Sequence, residues 1–294
     1  MVGSRPSGAN VPRGLGHPLE GCLAKLHRAK AHLDALEEAS GEFRRGSEPV
    51  RLVREDKAEG SLVEFIYRAK ISAQPPLSMS VLVGDALYNL HSALDHLAWQ
   101  LALLGSHPAT PPTGSTFPIF RNRGRFWRTD TRTGNYTPWS GARRIAAMPD
   151  DAQALIVELQ PYCRGDDAID HPLWLLHELS NTDKHSTLHL AVSALTGKRL
   201  SVPKGSEHLR IDSFEAFPGL LHDGAVLGRV RASLTDEAEV EIYPECSFNE
   251  AFSEAGPAKG MLVMTTLGGI LNYISDEVLS SRFLPYFARD RRRK

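Results

Sequence analysis

Cysteine is scarce: the 294 residues contain three, Cys22, Cys163 and Cys246, scattered and without a Cys-x-x-Cys pair. An odd, dispersed set argues against a disulfide framework and against a cysteine-based zinc site. Neither sign of charge is in excess, with a formal net charge of −1. That excludes a protein basic throughout, so any affinity for nucleic acid has to come from a local patch. Long apolar runs are lacking as well. The most apolar stretch, Met261 to Ile274, is interrupted by Thr265, Thr266 and Asn272 and soon meets Asp276 and Glu277, too short and too polar to span a bilayer. The amino terminus is rich in Gly, Pro, Ser and Arg and has no apolar signal-peptide core, which with the cysteine usage gives a cytoplasmic expectation. No internal repeat, no His-Glu-x-x-His and no Glu-x-x-His pair is present.

What is present is globular composition, 41% hydrophobic and 23% charged, over a length suited to one large domain. Residues 1–16 are expected to form a disordered tail. From Leu19 to about Arg45 the spacing of Leu19, Cys22, Leu23, Leu26, Ala29, Leu33 and Leu36 predicts a helix. Val50–Arg54 and Ser61–Ala69, separated by Glu59-Gly60, predict a β-hairpin. A long helix follows from about Pro76 to Leu104. Gly105 to Gly141 reads as a connection with five prolines, and Asp150–Leu159 as a helix halted at Pro161. Asp170-His171-Pro172 looks like a helix start with an acidic cap, leading into Leu173–His185. Strands are expected at Leu188–Val192, Arg199–Val202, Leu209–Phe217, Ala225–Ala232 and Glu239–Tyr243, and a final helix from Ala258 to Phe283 stopped by Pro285. The expectation is a single α+β domain over 17–287, with a helical core at 17–186, strands at 187–248 forming a mostly antiparallel sheet and a closing helix at 258–284. Residues 288–294 make a basic tail.

The long helix carries more polar chemistry than packing requires. At about 100° per residue, Val83, Leu87, Leu90, Leu94, Leu97 and Leu101 form a core stripe. Asp85, Asn89, Ser92, His96 and Gln100 form a second, polar stripe, and His91 with Asp95 occupies the remaining flank. The second chemical element is Leu173–His185, where His177, Asn181 and His185 form a ladder joined on the same side by Lys184, and whose end, Asn181-Thr182-Asp183-Lys184-His185, is dense with polar groups. The 105–141 connection contributes Arg121, Arg123, Arg125, Arg128 and Arg132, interleaved with Phe120, Phe126, Trp127, Tyr136 and Trp139. Guanidinium forks beside aromatics suit phosphates and unstacked bases; a lid packed on the helices, with solvated arginines, accounts for the same residues.

Gly-Asp-x-x-x-Asn-Leu-x-Ser-Ala-Leu-Asp-His-Leu at 84–97, Phe-Pro-Ile-Phe at 117–120, Leu-Gln-Pro-Tyr at 159–162 and His-Pro-Leu-Trp with Asn-x-Asp-Lys-His at 171–185 resemble an uncharacterised bacterial family, mainly actinobacterial. That likeness covers roughly 20–195 and implies no established activity. In that family the position of His91 is commonly arginine, and the resulting Arg-x-x-x-x-His spacing resembles HEPN domains. These are helical nucleotide-binding or metal-independent RNase modules that usually pair as dimers. The likeness implies His96 as the catalytic histidine, Asn89 as its polar neighbour, and RNA and a second copy as partners. His91 replaces the arginine, and an imidazole lacks the permanent charge of a guanidinium.

Three functional classes follow from these residues. In metal-independent RNA cleavage, His96, His91 or His185, supported by Asp95, supplies base and acid, and Lys184 faces the phosphate. In a noncatalytic binding module, Asp85, Asn89, His177, Asn181 and Asp183 form a polar seam whose members satisfy one another. In a metal-dependent hydrolase, ligands come from His91, Asp95, His96, His177, Asp183 and His185. His91 and His96 lie about 140° apart around one helix, so a single ion cannot easily take both. The reading carries no cofactor and no assigned metal.

Overall fold

A computed structural model describes residues 17–105, 114–202, 209–235, 241–254 and 256–290. The expected 1–16 tail, residues 106–113 of the long connection and the last residues of the basic tail lie outside the described residues.

Two long helices form the spine. α1 (Glu20–Ser47) buries Cys22, Leu26, Ala29, Leu33, Leu36 and Phe43, one helical face repeating every three to four residues. α2 (Leu77–Gly105) is buried along most of its circumference. The two helices pack antiparallel, Gly21 lying beside His96 and His32 beside Asp85. The hairpin β1 (Val50–Glu59) and β2 (Leu62–Ile71) connects them in sequence and is longer than its apolar residues alone foretell, because the polar run Glu55–Glu59 continues the ladder to the turn at Glu59↔Leu62.

The fold is α+β, and every strand pairing is antiparallel. The sheet differs from the expected one in two ways. It is divided into β1-β2-β6-β4 and β5-β3-β7, and the first of these mixes the amino-terminal hairpin with β4 (Leu209–Ala216) and β6 (Val226–Leu234). Strand β7 (Tyr243–Phe252) begins where a strand at Glu239–Tyr243 was expected to end, and pairs with β3 (Leu190–Ser201). Its Glu250 is buried yet paired, accepting from Ser40 and Arg44 of α1, which offsets the cost of placing a carboxylate in the core. β5 (Gly219–Leu220) is a short edge.

The connection after α2 is more structured than its prolines suggest. It includes α3 (Arg123–Phe126) and α4 (Gly141–Ile145), each started by a side-chain cap, Asn122 and Ser140. Phe126 is fully buried, edge-on to Phe120 and Tyr162 at 5.6 Å. Buried Gln160 stitches the Phe-Pro-Ile-Phe segment down: its Oε1 accepts from the Phe120 N–H at 3.0 Å and its amide donates to Pro118 O and Ile156 O. α5 (Asp150–Glu158) ends at this point.

α6 (Pro172–His185) starts with Pro at its first position, but the cap is His171 rather than Asp170. The His171 Nδ1 accepts from the Leu173 N–H at 3.1 Å and Nε2 faces the Tyr273 hydroxyl at 3.3 Å. The expected closing helix is α7 (Val263–Asn272), a π-helical run Tyr273–Phe283 and α8 (Leu284–Asp290). Pro285 does not stop it. The proline sits within a continuous helical run, directly after π turns in which the Leu284 N–H still bonds to Leu279 O.

Replacing Gln160 by Ala leaves the half-buried Phe120 N–H and the buried Pro118 carbonyl without that partner and should lower stability by about 1–3 kcal/mol in urea unfolding. A loss below about 0.5 kcal/mol, the range of a neutral surface change, would show that the segment is held by its aromatics alone.

Candidate functional site

The polar residues of α2 go to two different places. Asp85, Asn89 and His96 turn toward α1. Asp85 Oδ2 lies 3.9 Å from His32 Nδ1, Asn89 accepts from Lys25 Nζ at 3.5 Å, and a Cβ on Gly21 would sit 2.7 Å from His96 Nδ1. His91 and Asp95 turn toward α6. The separation follows from helical geometry, since His91 and His96 are about 140° apart. His96, the histidine singled out by the HEPN likeness, is therefore not brought to α6.

Where α2 meets α6 there is a cavity of about 170 Å³ lined by Leu87, Tyr88, His91, Ser92, Asp95, Ser180, Asp183 and Lys184. His91 Nδ1 stands 3.4 Å from Asp95 Oδ2, while Asp95 Oδ1 accepts from the Phe117 N–H at 3.0 Å. One carboxylate thus orients the imidazole and fastens the start of the loop. With Nδ1 turned to the acid, Nε2 is the nitrogen left to exchange a proton.

Asp183 reaches across α2 at Gly84. A Cβ there would lie 2.7 Å from Asp183 Oδ1 and 2.8 Å from Oδ2, so this close approach requires glycine. Burial, and then the neighbouring Asp85, raise the Asp183 pKa above the ordinary carboxylate value. Ser180 is 5% exposed and its Oγ has no hydrogen-bond partner among the described residues. A buried, unpartnered hydroxyl on a cavity wall is a donor and acceptor in want of a guest.

Behind the cavity, His177 Nε2 meets the Asn181 amide at 3.0 Å and the ring lies over Trp174 at 5.2 Å. Burial first, and then the positive fields of His91, Arg144 and Lys184, lower its pKa to about 4, so His177 is a neutral hydrogen-bond acceptor near pH 7. Arg144 of α4 is also desolvated, and Asp95 opposes that effect. Its guanidinium lies 5.6 Å from the Phe120 ring. Arg121 of the loop lies over the Trp174 ring of α6 at 5.2 Å. Arg123, Arg125 and Arg128 are exposed, and Trp127 packs edge-on to Phe126 at 5.0 Å. Lys184 and His185 complete the last turn of α6, where positive charge meets the carbonyl end of the helix; His185 is exposed and does not line the cavity.

The expected residues His91, Asp95, Asp183 and Lys184 thus converge, joined by His177 and Asn181 just behind. Asn89, His96 and His185 lie elsewhere, while Asp85 faces His32 of α1 and its charge still reaches Asp183. Sequence reasoning missed Ser180 and Arg144. Ser180 sits one turn before Lys184 and could have been found by placing α6 on a helical wheel, whereas nothing local marks Arg144. Among the described residues no three His, Cys, Asp or Glu side chains gather as a metal-holding group, so no step is derived through a metal.

The chain matches no protein-family model, no curated protein and no solved structure.

His171 also has a pKa lowered to about 4, by burial and then by Arg164. Both histidines bind a proton more readily unfolded, near 6.5, than folded, near 4. Their contribution to stability is therefore constant above 6.5 and is lost as pH falls through that window. The urea midpoint should hold above pH 6.5 and fall toward pH 4, and His177→Gln should flatten part of that fall. An unchanged slope in the variant would mean that His177 is not held neutral by the fold.

Proposed function

We propose that the α2–α6 cavity receives a phosphate group of RNA and supports metal-independent cleavage of the phosphodiester. The observation that carries this reading is the convergence of a His–Asp pair, a carboxyl of raised pKa, a lysine and an unpartnered buried serine hydroxyl on one small cavity. Its size suits a phosphate rather than a whole nucleotide, so the sugar and base stay outside, toward the loop bearing Arg121, Arg123, Arg125, Trp127 and Arg128.

In this reading His91 Nε2 takes the proton of the 2′-hydroxyl, and the 2′-oxygen forms a bond to phosphorus. The bond from phosphorus to the 5′-oxygen breaks, and that oxygen receives the proton held by Asp183. Products are a 2′,3′-cyclic phosphate and a 5′-hydroxyl. Asp95 fixes the imidazole; Lys184 and the Ser180 hydroxyl meet the nonbridging oxygens, with Arg144 adding positive field from behind. The upward direction of the Asp183 pKa favours the protonated form that an acid must supply. A binding-only module is the second reading. One feature favours it: Asp95 is also tied to the Phe117 N–H, a structural duty that an isolated catalytic acid would not share.

The test is cleavage of end-labelled single-stranded and structured RNA in EDTA. Cyclic-phosphate ends should form, and His91→Gln and Lys184→Ala should each lower the rate at least about 100-fold, the usual scale of losing a general base or a charge on the transition state. His96→Ala and His185→Ala should cut at nearly the native rate. Loss in His96→Ala with retention in His91→Gln would overturn the assignment. RNA retention without cutting, abolished by Lys184→Ala, would establish the binding module instead.

A further inference from the structure

Where α1 ends, the turn into β1 and strand β7 enclose a second cavity, of about 250 Å³, lined by Arg44, Glu48, Pro49, Val50 and Phe248. It shares no residue with the α2–α6 cavity. A volume below the roughly 300–1,000 Å³ of pockets for drug-sized ligands suits a small metabolite. Pro49, Val50 and Phe248 make its lining mostly apolar, and one group of each charge, Arg44 and Glu48, stands among them.

Arg44 is held ready. Its Nη1 donates to Glu250 Oε2 at 3.1 Å and to the Ser40 hydroxyl at 2.6 Å, and Glu250 and Ser40 are 5% and 1% exposed. A long side chain ordered by buried partners has already lost the rotamer freedom that binding would otherwise cost it. Among the described residues its hydrogen bonds all run through Nη1, which leaves the donors on Nε and Nη2 for a guest. A guanidinium edge of this kind matches a carboxylate.

Glu48 is the less expected member. It follows the last residue of α1 with φ 38° and ψ 62°, and among the described residues it alone combines a side chain with positive φ. A helix end in this conformation ordinarily takes glycine, because a Cβ there is strained. Strain held at the wall of a cavity points to use of the side chain. The carboxylate is paired with Arg51 at 3.2 Å, but both side chains are exposed. Such a pair contributes little to stability, so the carboxylate is free to turn to an ammonium guest. Glu250 already balances the charge of Arg44, so a plain anion would meet Glu48 uncompensated, whereas a zwitterion meets both signs.

We infer that this cavity binds a free α-amino acid with an apolar side chain, its carboxylate on Arg44, its ammonium on Glu48 and its side chain against Val50 and Phe248. The inference does not rest on the RNA reading, because it uses none of the same residues.

Equilibrium dialysis of the full chain against labelled leucine should show saturable binding. Glycine, which lacks the side chain, and 4-methylpentanoate, which is leucine without its ammonium, should each bind at least about tenfold weaker, the scale of losing one side chain's burial or one charged hydrogen bond. Glu48→Gly removes strain and carboxylate together. Its urea midpoint should rise while its leucine affinity falls at least about tenfold and its affinity for 4-methylpentanoate stays the same. Arg44→Lys keeps a positive charge beside Glu250 but not the fork, and should weaken leucine binding by a similar factor with the circular dichroism unchanged. If that variant fails to fold, Glu48→Gly still decides. No retention of leucine by the native chain overturns the inference. So does 4-methylpentanoate binding as tightly as leucine, which would make this a site for plain carboxylates, or a leucine affinity unchanged in Glu48→Gly.

Discussion

The burial of α2 on three sides is the constraint from which the rest of the molecule follows. Val83, Leu87, Leu90, Leu94, Leu97 and Leu101 are almost wholly buried. Removing that much apolar surface from water fixes the rotation of the helix about its own axis. Once the rotation is fixed, each polar residue on α2 is committed to one side of the helix. Asp85, Asn89 and His96 must meet α1, His91 and Asp95 must meet α6, and Leu77, Val81, Tyr88, Trp99 and Leu103 must face outward. A polar residue one position earlier or later would turn by about 100° and change partners.

Two local devices convert that rotation into a site. Gly84 removes the side chain that would exclude Asp183, so α6 can set a carboxylate directly on the α2 backbone. Asp95 divides its oxygens between His91 and the Phe117 N–H, coupling imidazole orientation to the path of the loop. Gln160 holds the same loop at Phe120 and Pro118. The loop arginines are therefore not free of the helices: Arg121 reaches Trp174, and α4 brings Arg144 behind Asp95. Burial penalises the charged form of each group, so it lowers His177 to about 4 and moves Asp183 the other way, upward, with Asp85 adding to the second shift.

Much of this was legible where a pattern is local. The periodicity of Leu26, Leu33 and Leu36 gives α1, and that of Leu87, Leu90 and Leu94 gives α2, because each residue's neighbour is three or four positions away. His91 and Asp95 share a flank by the same rule. Where long-range pairing decides, local reading failed. Nothing around Val226 says that β6 joins the hairpin sixteen tens of residues earlier in the chain rather than β3, and Tyr243–Phe252 becomes a strand because Leu190–Ser201 offers it a ladder. Pro285 reads as a stop until the π-helical run before it is known. Asp170 is the better cap by residue type, yet His171 wins because Tyr273 holds its far nitrogen. Ser180 and Arg144 become site residues only through the packing of α6 and α4 against α2.

The central claim is that the chemistry resides on the His91 side of α2 and not on the His96 side. Nitrogen-15 spectra of the histidine rings during titration with a short RNA bearing a noncleavable 2′-methoxy group test it most directly. The account predicts that the His91 ring signals move on binding while those of His96 and His185 stay in place. Movement of His96 with His91 unchanged would contradict it.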